Sequence, residues 1–232
     1  NTTGVFVDDT PNGSAKAINL NGNKYVHVDD GTADQSVFDG GTQFTVSLWF
    51  KEAPDGTWDP YISKCGDWGQ GWQLRSRYKY QICWTLRNNQ GDRYLPPNGP
   101  PAAWGNPDDN EWHHIAASLG GGKARMYFDG AKVWEENRGG SVNPTGSQLV
   151  FGSRDTSRNA SNGVSRDRYA SFFMDDIRFY NRSLTPAEVE ILGGGLLNKI
   201  EGYFANAFSY QVQAVRSPEV FSVAAGALPD GL

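Results

Sequence analysis

The sequence predicts an all-β protein, built as a two-sheet antiparallel sandwich of the jelly-roll type. Short runs that alternate apolar and polar residues recur along the chain, and turn residues separate them. Glycine accounts for 28 of the 232 residues, and eight Trp, ten Tyr and twelve Phe accompany only two Met. This composition favours strands joined by tight turns over a helical bundle.

Charge and hydropathy exclude several classes of protein. Lys and Arg number 21 and Asp and Glu number 26, so the formal net charge is −5, which argues against a general nucleic-acid binder. No apolar run approaches the length of a membrane-spanning helix, so we expect no membrane insertion. A chain of this length can bury roughly 70% of its surface, so its core needs no metal or disulfide. Cys65 and Cys83 leave two alternatives, one disulfide or two separate thiols.

The predicted elements follow one another with turns between them. The strands fall at 17–20, 24–28, 44–51, 61–64, 71–77, 80–87, 112–119, 124–128, 131–134, 149–151 and 172–180. One short helix is expected near 185–192, because Thr185 can cap it, Pro186 stands in its first turn and Glu188 completes a capping box.

The chain divides into a sandwich domain, residues 1–194, and a C-terminal extension, residues 195–232. The extension carries large apolar side chains. A short helix is expected over 196–208, because Leu197, Ile200 and Phe204 have helical spacing, and extended segments are expected over 209–215 and 219–223. If these side chains were exposed, they would form a larger apolar patch than soluble monomers usually show. We therefore expect the extension to pack on the sandwich or on a neighbouring subunit, with self-association through 196–232.

Several motifs stand in a fixed order. Phe44-Thr-Val-Ser-Leu-Trp-Phe-Lys51 precedes Gly71-Trp-Gln-Leu74 and Glu111-Trp-His-His-Ile-Ala116, and the longest motif is Met174-Asp-Asp-Ile-Arg-Phe-Tyr-Asn-Arg-Ser-Leu-Thr-Pro-Ala-Glu-Val189. From about residue 15 to 192 their order and spacing resemble the laminin-G-like, concanavalin A-like jelly-roll family. The resemblance implies two antiparallel sheets packed face to face, one of them concave, and a sugar- or protein-binding role.

Polar side chains line one face of the hairpin predicted over 71–77 and 80–87. The candidate ligand-binding residues on this face are Gln73, Arg75, Arg77, Gln81 and Arg87. Arginine matches carboxylate or sulfate oxygens two at a time, so we interpret this face as an open floor for an acidic or otherwise extended polysaccharide. The alternative is a solvated face with cross-strand ion pairs.

Trp58, Trp68 and Trp104 lie in loops, where an indole can stack on a sugar or close the end of the sandwich.

Jelly rolls also host enzymes, so the fold alone does not decide the function. The chain lacks the Glu-x-Asp-x-x-Glu strand of a retaining hydrolase. A lyase would use Arg75, Gln81 and Tyr78 or Tyr80, but the Gln-Ile-His element of related lyases is absent, because Cys83 follows Ile82. We predict a lectin-like carbohydrate-binding module without catalytic residues. The alternatives are a polysaccharide lyase, or a structural or adhesive module of a cell surface or virion.

The chain begins at Asn1, so we expect that a preceding segment was removed, either a signal peptide or the rest of a larger protein. We expect an extracellular, cell-surface or virion-surface location. The family resemblance also implies a structural Ca²⁺ held by Asp175, with Asp9, Asp39 and Gly40 as companions. The alternative is an Asp175 carboxylate that accepts backbone N–H bonds without metal.

His113 and His114 are not expected to share a metal, because adjacent strand residues point to opposite faces.

Overall fold

The fold is described by a computed structural model. It covers residues 6–11, 15–20, 24–28, 38–51, 58–65, 70–76, 82–88, 91–95, 107, 109–145, 147–155, 166–167, 169–194, 212–213 and 222–223. Of these, residues 88, 91–95, 155, 166–167, 212–213 and 222–223 are described in backbone only. The structure confirms an all-β sandwich with one short helix.

The strands and the helix of the described residues have the following bounds in chain order. They are β1 (Phe6–Val7), β2 (Ala17–Asn19), β3 (Val26–His27), β4 (Phe44–Lys51), β5 (Pro60–Lys64), β6 (Trp72–Ser76), β7 (Ile82–Asn88), β8 (Gly91–Leu95), β9 (His113–Gly120), β10 (Lys123–Phe128), β11 (Ala131–Asn137), β12 (Val150–Phe151), β13 (Arg154–Asp155), β14 (Arg166–Asp167), β15 (Phe173–Tyr180), α1 (Pro186–Leu192), β16 (Val212–Gln213) and β17 (Ser222–Val223).

Two antiparallel sheets form the sandwich. The seven-stranded sheet has the order β1-β2-β15-β4-β9-β10-β11, and the six-stranded sheet has the order β3-β12-β5-β6-β7-β8. Strands β13 and β14 pair at the two ends of residues 154–167, and β16 pairs with β17 in the extension. Strands β1, β8, β13 and β14 were not predicted. For β1, β13 and β14 the reason is that two residues are too few to show a period.

The core lies between the two sheets. Strand β4 contributes Phe44, Val46, Leu48 and Phe50, all buried, from alternate positions. Across the sandwich, the rings of Trp72 and Trp84 each lie 5.4 Å from the Phe44 ring. Burial of each such side chain stabilises the fold by about 1.5–3 kcal/mol.

The helix α1 covers part of the outer face of the seven-stranded sheet. Its Val189 and Leu192 pack with Tyr127 and Tyr180 of that sheet in a second apolar cluster. The predicted cap is confirmed, since the Thr185 side chain accepts from the Glu188 N–H and the Glu188 carboxylate accepts from the Thr185 N–H at 2.8 Å. Arg182 binds Glu188 through two nitrogens, at 3.0 and 2.7 Å, and lowers the pKa of Glu188 to about 2.

A β-bulge in β15 changes which way the two acidic residues point. Met174 and Ile177 both lie in the core, so the alternation shifts by one residue between them, and Asp176 has φ +45°. Asp175 is therefore aligned with Trp49 on the outer face of the sheet. A regular two-residue period predicts that Asp175 shares a face with Ile177; this is wrong, because the bulge breaks the period.

The C-terminal extension is described only at β16 and β17, whose pairing agrees with two extended segments. The helix expected over 196–208 lies outside the described residues, and the division at residue 194 stays a prediction. No helix in the described part of the chain is long and apolar enough to cross a membrane.

Gly71 allows strand β6 to begin against the end of β5. Its φ is +74°, and a Cβ on it would lie 1.9 Å from the carbonyl oxygen of Lys64. Its N–H donates to the Asn143 carbonyl at 2.9 Å, and its carbonyl accepts from the Arg87 N–H at 3.1 Å. The backbone of Gly71 therefore contacts three segments, at Lys64, Asn143 and Arg87, and a side chain at this position would push them apart.

We expect Gly71→Ala to lower the free energy of unfolding by more than about 3 kcal/mol, because the backbone of β5 must move. The matched control is Gly121→Ala, at φ +60° with nothing within 4 Å of the added Cβ. The control should cost only about 1–2 kcal/mol, the strain of the left-handed conformation itself. Urea unfolding of both variants measures the difference, and equal losses would contradict the prediction.

Candidate functional site

The predicted ligand-binding residues of the hairpin lie on the outer face of the six-stranded sheet. Strands β6 and β7 pair so that Arg75 is opposite Cys83 and Gln73 is opposite Thr85. The alternate residues Trp72, Leu74, Trp84 and Leu86 belong to the core. We call the outward set the polar face; it consists of Gln73, Arg75, Cys83, Thr85 and Arg87. The face assignment made from the sequence is therefore confirmed for these strands.

The polar face is buried. The exposed fraction is 0% for Gln73, 4% for Arg75 and 1% for Arg87, so these three side chains form neither the expected open floor nor the solvated face of the alternative. They bond to one another and to β5, since Arg75 Nη1 donates to Gln73 Oε1 at 2.7 Å and Gln73 Nε2 donates to Ser63 Oγ at 3.1 Å. Arg77 and Gln81 lie outside the described residues.

Trp58 lies beside this buried network. The Arg75 guanidinium carbon is 4.5 Å from the centre of the Trp58 ring, a cation–π distance. Trp58 itself is half-buried and has φ +71°, which is costly for a bulky residue and is often found at functional sites. The adjacent Asp59 holds it there, because Asp59 and Ser76 exchange two hydrogen bonds, at 2.8 and 2.9 Å. Trp68 and Trp104 lie outside the described residues.

The two cysteines are separate, buried thiols, and they belong to this region. Cys83 lies on the polar face, and the Cys65 sulfur accepts a hydrogen bond from Arg87. Burial raises the pKa of the Cys65 thiol, although Arg87, Arg154 and Arg75 act in the opposite direction. A neutral, covered thiol of this kind is unreactive, so a nucleophilic role for Cys65 is not supported.

Sequence reasoning missed Ser63, Cys65 and Trp49 as contributors to buried polar contacts. Ser63 is aligned with Gln73 and bonds to it, while the Trp49 indole donates to the Leu192 carbonyl at 3.2 Å. The only sequence signal for Ser63 is its position in a strand beside apolar neighbours. Of the residues of the alternative lyase reading, Arg75 is buried, and Tyr78, Tyr80 and Gln81 lie outside the described residues.

The expected metal ligands each have another partner. Asp9 binds Lys51 at 2.8 Å and Trp112 Nε1 at 2.9 Å, and the hydrogen bond from Lys51 is the main cause of its lowered pKa. The Asp39 carboxylate lies 3.1 Å from the Lys64 ammonium.

The Asp175 carboxylate accepts the N–H of Asp176 at 2.7 Å. No group of three or more His, Cys, Asp or Glu side chains that could hold a metal occurs among the described residues. Calcium binding by Asp175, Asp9, Asp39 and Gly40 stays a prediction.

His113 and His114 face opposite sides of the seven-stranded sheet, and their pKa values shift in opposite directions. His113 is bound on both ring nitrogens, by Asp129 at 2.9 Å and Asp109 at 3.0 Å, and these bonds, chiefly that from Asp129, raise its pKa. His114 is fully buried against Ser47, with Nε2 2.8 Å from the hydroxyl, and burial lowers its pKa to about 3. The prediction that the two do not share a metal site is consistent with these contacts.

The two histidines should give the free energy of unfolding a maximum near pH 6.5, their ordinary pKa. Above it, His113 keeps a proton only in the folded state, so its contribution is lost as pH rises through its raised pKa. Below it, His114 takes up a proton only in the unfolded state, so stability falls as pH falls toward about 3.

Urea unfolding across this pH range measures the free energy of unfolding, and one variant tests its fall above pH 6.5 (the alkaline limb) and another its fall below pH 6.5 (the acid limb). His113→Asn should flatten the alkaline limb and His114→Gln the acid limb, each relative to wild type at the same pH. An alkaline limb unchanged in His113→Asn would contradict the assignment.

Two antiparallel sheets around an aromatic core, with a polar outer face on one of them, define a concanavalin A-like jelly roll. A family model of the concanavalin A-like lectin/glucanase superfamily, laminin G type, matches residues 20–190, and the chain belongs to this family. Comparison of the sequence with curated proteins returned no match.

Solved structures share the fold at low sequence identity. Domain 4 of AbnA, a GH43 extracellular arabinanase from Geobacillus stearothermophilus, solved with arabinotriose, has a TM-score of 0.59 and 20% identity over 81% of this chain and 80% of its own. The CBM40 of a Ruminococcus gnavus sialidase, bound to α2,3 sialyllactose, has a TM-score of 0.57 and 11% identity over 77% and 96%.

A third similar structure is the binding domain of Paraclostridial Mosquitocidal Protein 1, with a TM-score of 0.56 and 20% identity over 83% of this chain. This chain spans about half of that binding domain, 46% of its length. At these identities the likeness shows the fold.

Proposed function

We propose that the chain is a carbohydrate-binding module whose ligand contacts Trp58 at the edge of the polar face. The observation that carries the proposal is the Trp58–Arg75 pair, in which a half-buried indole on a strained backbone lies 4.5 Å from a buried guanidinium. This indole is the surface on which we expect a sugar to stack through its C–H groups.

The buried polar face supports this site by holding it rigid. Gln73 fixes the Arg75 guanidinium, and Ser63 fixes Gln73, so the charge beneath Trp58 has a set position. A preorganised aromatic surface loses little entropy when a ligand binds, which favours affinity. Two similar structures were solved with oligosaccharides, arabinotriose and α2,3 sialyllactose, which supports a glycan as the ligand class.

The finer part of the proposal is an acidic or extended polysaccharide as ligand, on a secreted or surface-located protein. Positive charge supports it, because Arg75 and Arg87 lie on the polar face within a chain of net charge −5. A ligand carboxylate or sulfate near Trp58 would gain from the guanidinium behind the ring. A lyase, or an adhesive or virion module, would use the same fold without this pair.

The test is glycan binding by Trp58→Ala, first on an array of neutral and acidic oligosaccharides and then by titration with the best ligand. We expect at least about tenfold weaker binding, or ~1.4 kcal/mol, because the stacking surface is lost. Trp58→Phe should lose less, since it keeps an aromatic face. Binding of an acidic ligand should also weaken as salt rises.

The matched control is Trp134→Ala, which removes a half-buried Trp from the edge strand β11 of the other sheet. It should bind as wild type does once folding is verified by circular dichroism. Wild-type protein that binds no glycan, or Trp58→Ala with unchanged affinity, would refute the proposal. Cleavage of uronate polymers with a rise in absorbance would favour the lyase instead.

A further inference from the structure

Lys64 is a fully buried cation at the end of strand β5. Its side chain is 1% exposed, and that of Asp39 is 14% exposed. The ammonium has three acceptors, the Ser147 carbonyl at 2.6 Å, the Thr145 carbonyl at 3.1 Å and Asp39 Oδ1 at 3.1 Å. A lysine ammonium has three donor hydrogens, so this arrangement satisfies all of them.

The three oxygens come from two segments far apart in sequence. Asp39 lies five residues before β4 begins at Phe44, whereas Thr145 and Ser147 precede β12. We call the Asp39 carboxylate and the carbonyls of Thr145 and Ser147 the oxygen cage. Two further contacts connect its members: the Thr145 hydroxyl donates to Ser147 Oγ at 3.0 Å, and the Thr145 N–H lies 3.5 Å from Asp39 Oδ1. The cage is therefore built by the fold around the position of the ammonium.

Carboxylate and backbone carbonyl oxygens are ligand types that calcium takes in proteins, in sets of about six to eight that include water. The family resemblance assigned Asp39 and its neighbour Gly40 to such a metal, but the cation found in the cage is the ammonium of Lys64. A metal ion and the ammonium cannot occupy the same position, and two positive charges beside one buried carboxylate would repel each other.

We propose that the oxygen cage of Asp39, Thr145 and Ser147 is a cation site filled by the chain's own Lys64. The ammonium takes the position of a metal ion and ties the segment before β12 to the segment before β4. This end of the sandwich then holds its loops at any calcium concentration. The site becomes open to a divalent cation only when the lysine side chain is removed.

The experiment compares melting temperatures in EDTA and in about 10 mM calcium, a concentration that saturates extracellular-type sites. In EDTA, Lys64→Ala should melt roughly 10 °C below wild type, because a buried carboxylate loses its partner. Calcium should then raise the melting temperature of Lys64→Ala by about 3 °C more than that of wild type. The readout is the rise in melting temperature of Lys64→Ala in calcium minus that of wild type. Calcium bound elsewhere, as at Asp175, raises both melting temperatures equally and drops out of this difference.

Two controls isolate the cage. The double variant Lys64→Ala/Asp39→Asn lacks the carboxylate, so its gain in calcium should equal the wild-type gain. Lys51→Ala removes the lysine from a far more exposed pair, in which Asp9 is 49% exposed, and should show neither the large loss nor the extra gain.

A second variant guards against failure to fold. Lys64→Met keeps the apolar stem of the side chain but not its charge, and calcium should raise its melting temperature in the same way. Recovery of folded Lys64→Ala or Lys64→Met only in calcium would support the proposal. Equal gains in wild type and in both variants, or variants that stay unfolded in both buffers, would overturn it.

Discussion

Burial of strand β4 on both faces is the constraint on which the sandwich depends. On its inner face, Phe44 and its alternate neighbours fill the core against the tryptophans of the other sheet. On its outer face, Thr45 accepts from the Leu184 N–H at 3.0 Å and donates to the Arg182 carbonyl at 2.9 Å, while Trp49 bonds to the end of the helix. A polar outer face covered in this way must be hydrogen-bonded throughout, and this requirement fixes the position of residues 182–192.

The local sequence pattern predicted an element well where the periodic run of residues is long and capping or turn residues stand at its ends. The eight residues of β4 and the helix with its Thr185–Glu188 cap follow from alternation and capping alone. The orientation of Asp175 did not follow, because a bulge inserts one residue into the period and leaves no local signal. Periodicity tells which residues share a face, but whether that face is open depends on what packs above it, as with Gln73 and Arg75.

The same limit applies to the candidate metal ligands. Acidic residues in turns predicted candidate oxygen ligands, but not the partner that each one meets. Lys64 reaches Asp39 only through the pairing of strands in the other sheet, and Lys51 reaches Asp9 across 42 positions of sequence. A lysine at the end of a strand is unremarkable in sequence, so its position beside Asp39 becomes visible only in the folded chain.

The place of β15 in the seven-stranded sheet bears on how the chain reaches its native state. This strand, Phe173–Tyr180, lies between β2 and β4, which both come from the first 51 residues. On a ribosome, the two early strands must wait for more than a hundred residues before their shared neighbour emerges. Pairings between such distant segments close late and slowly, so β2 leaves the exit tunnel with one unpaired edge, and β4, whose other neighbour β9 also comes later, with two. Protection of those edges during synthesis is therefore a requirement of this topology.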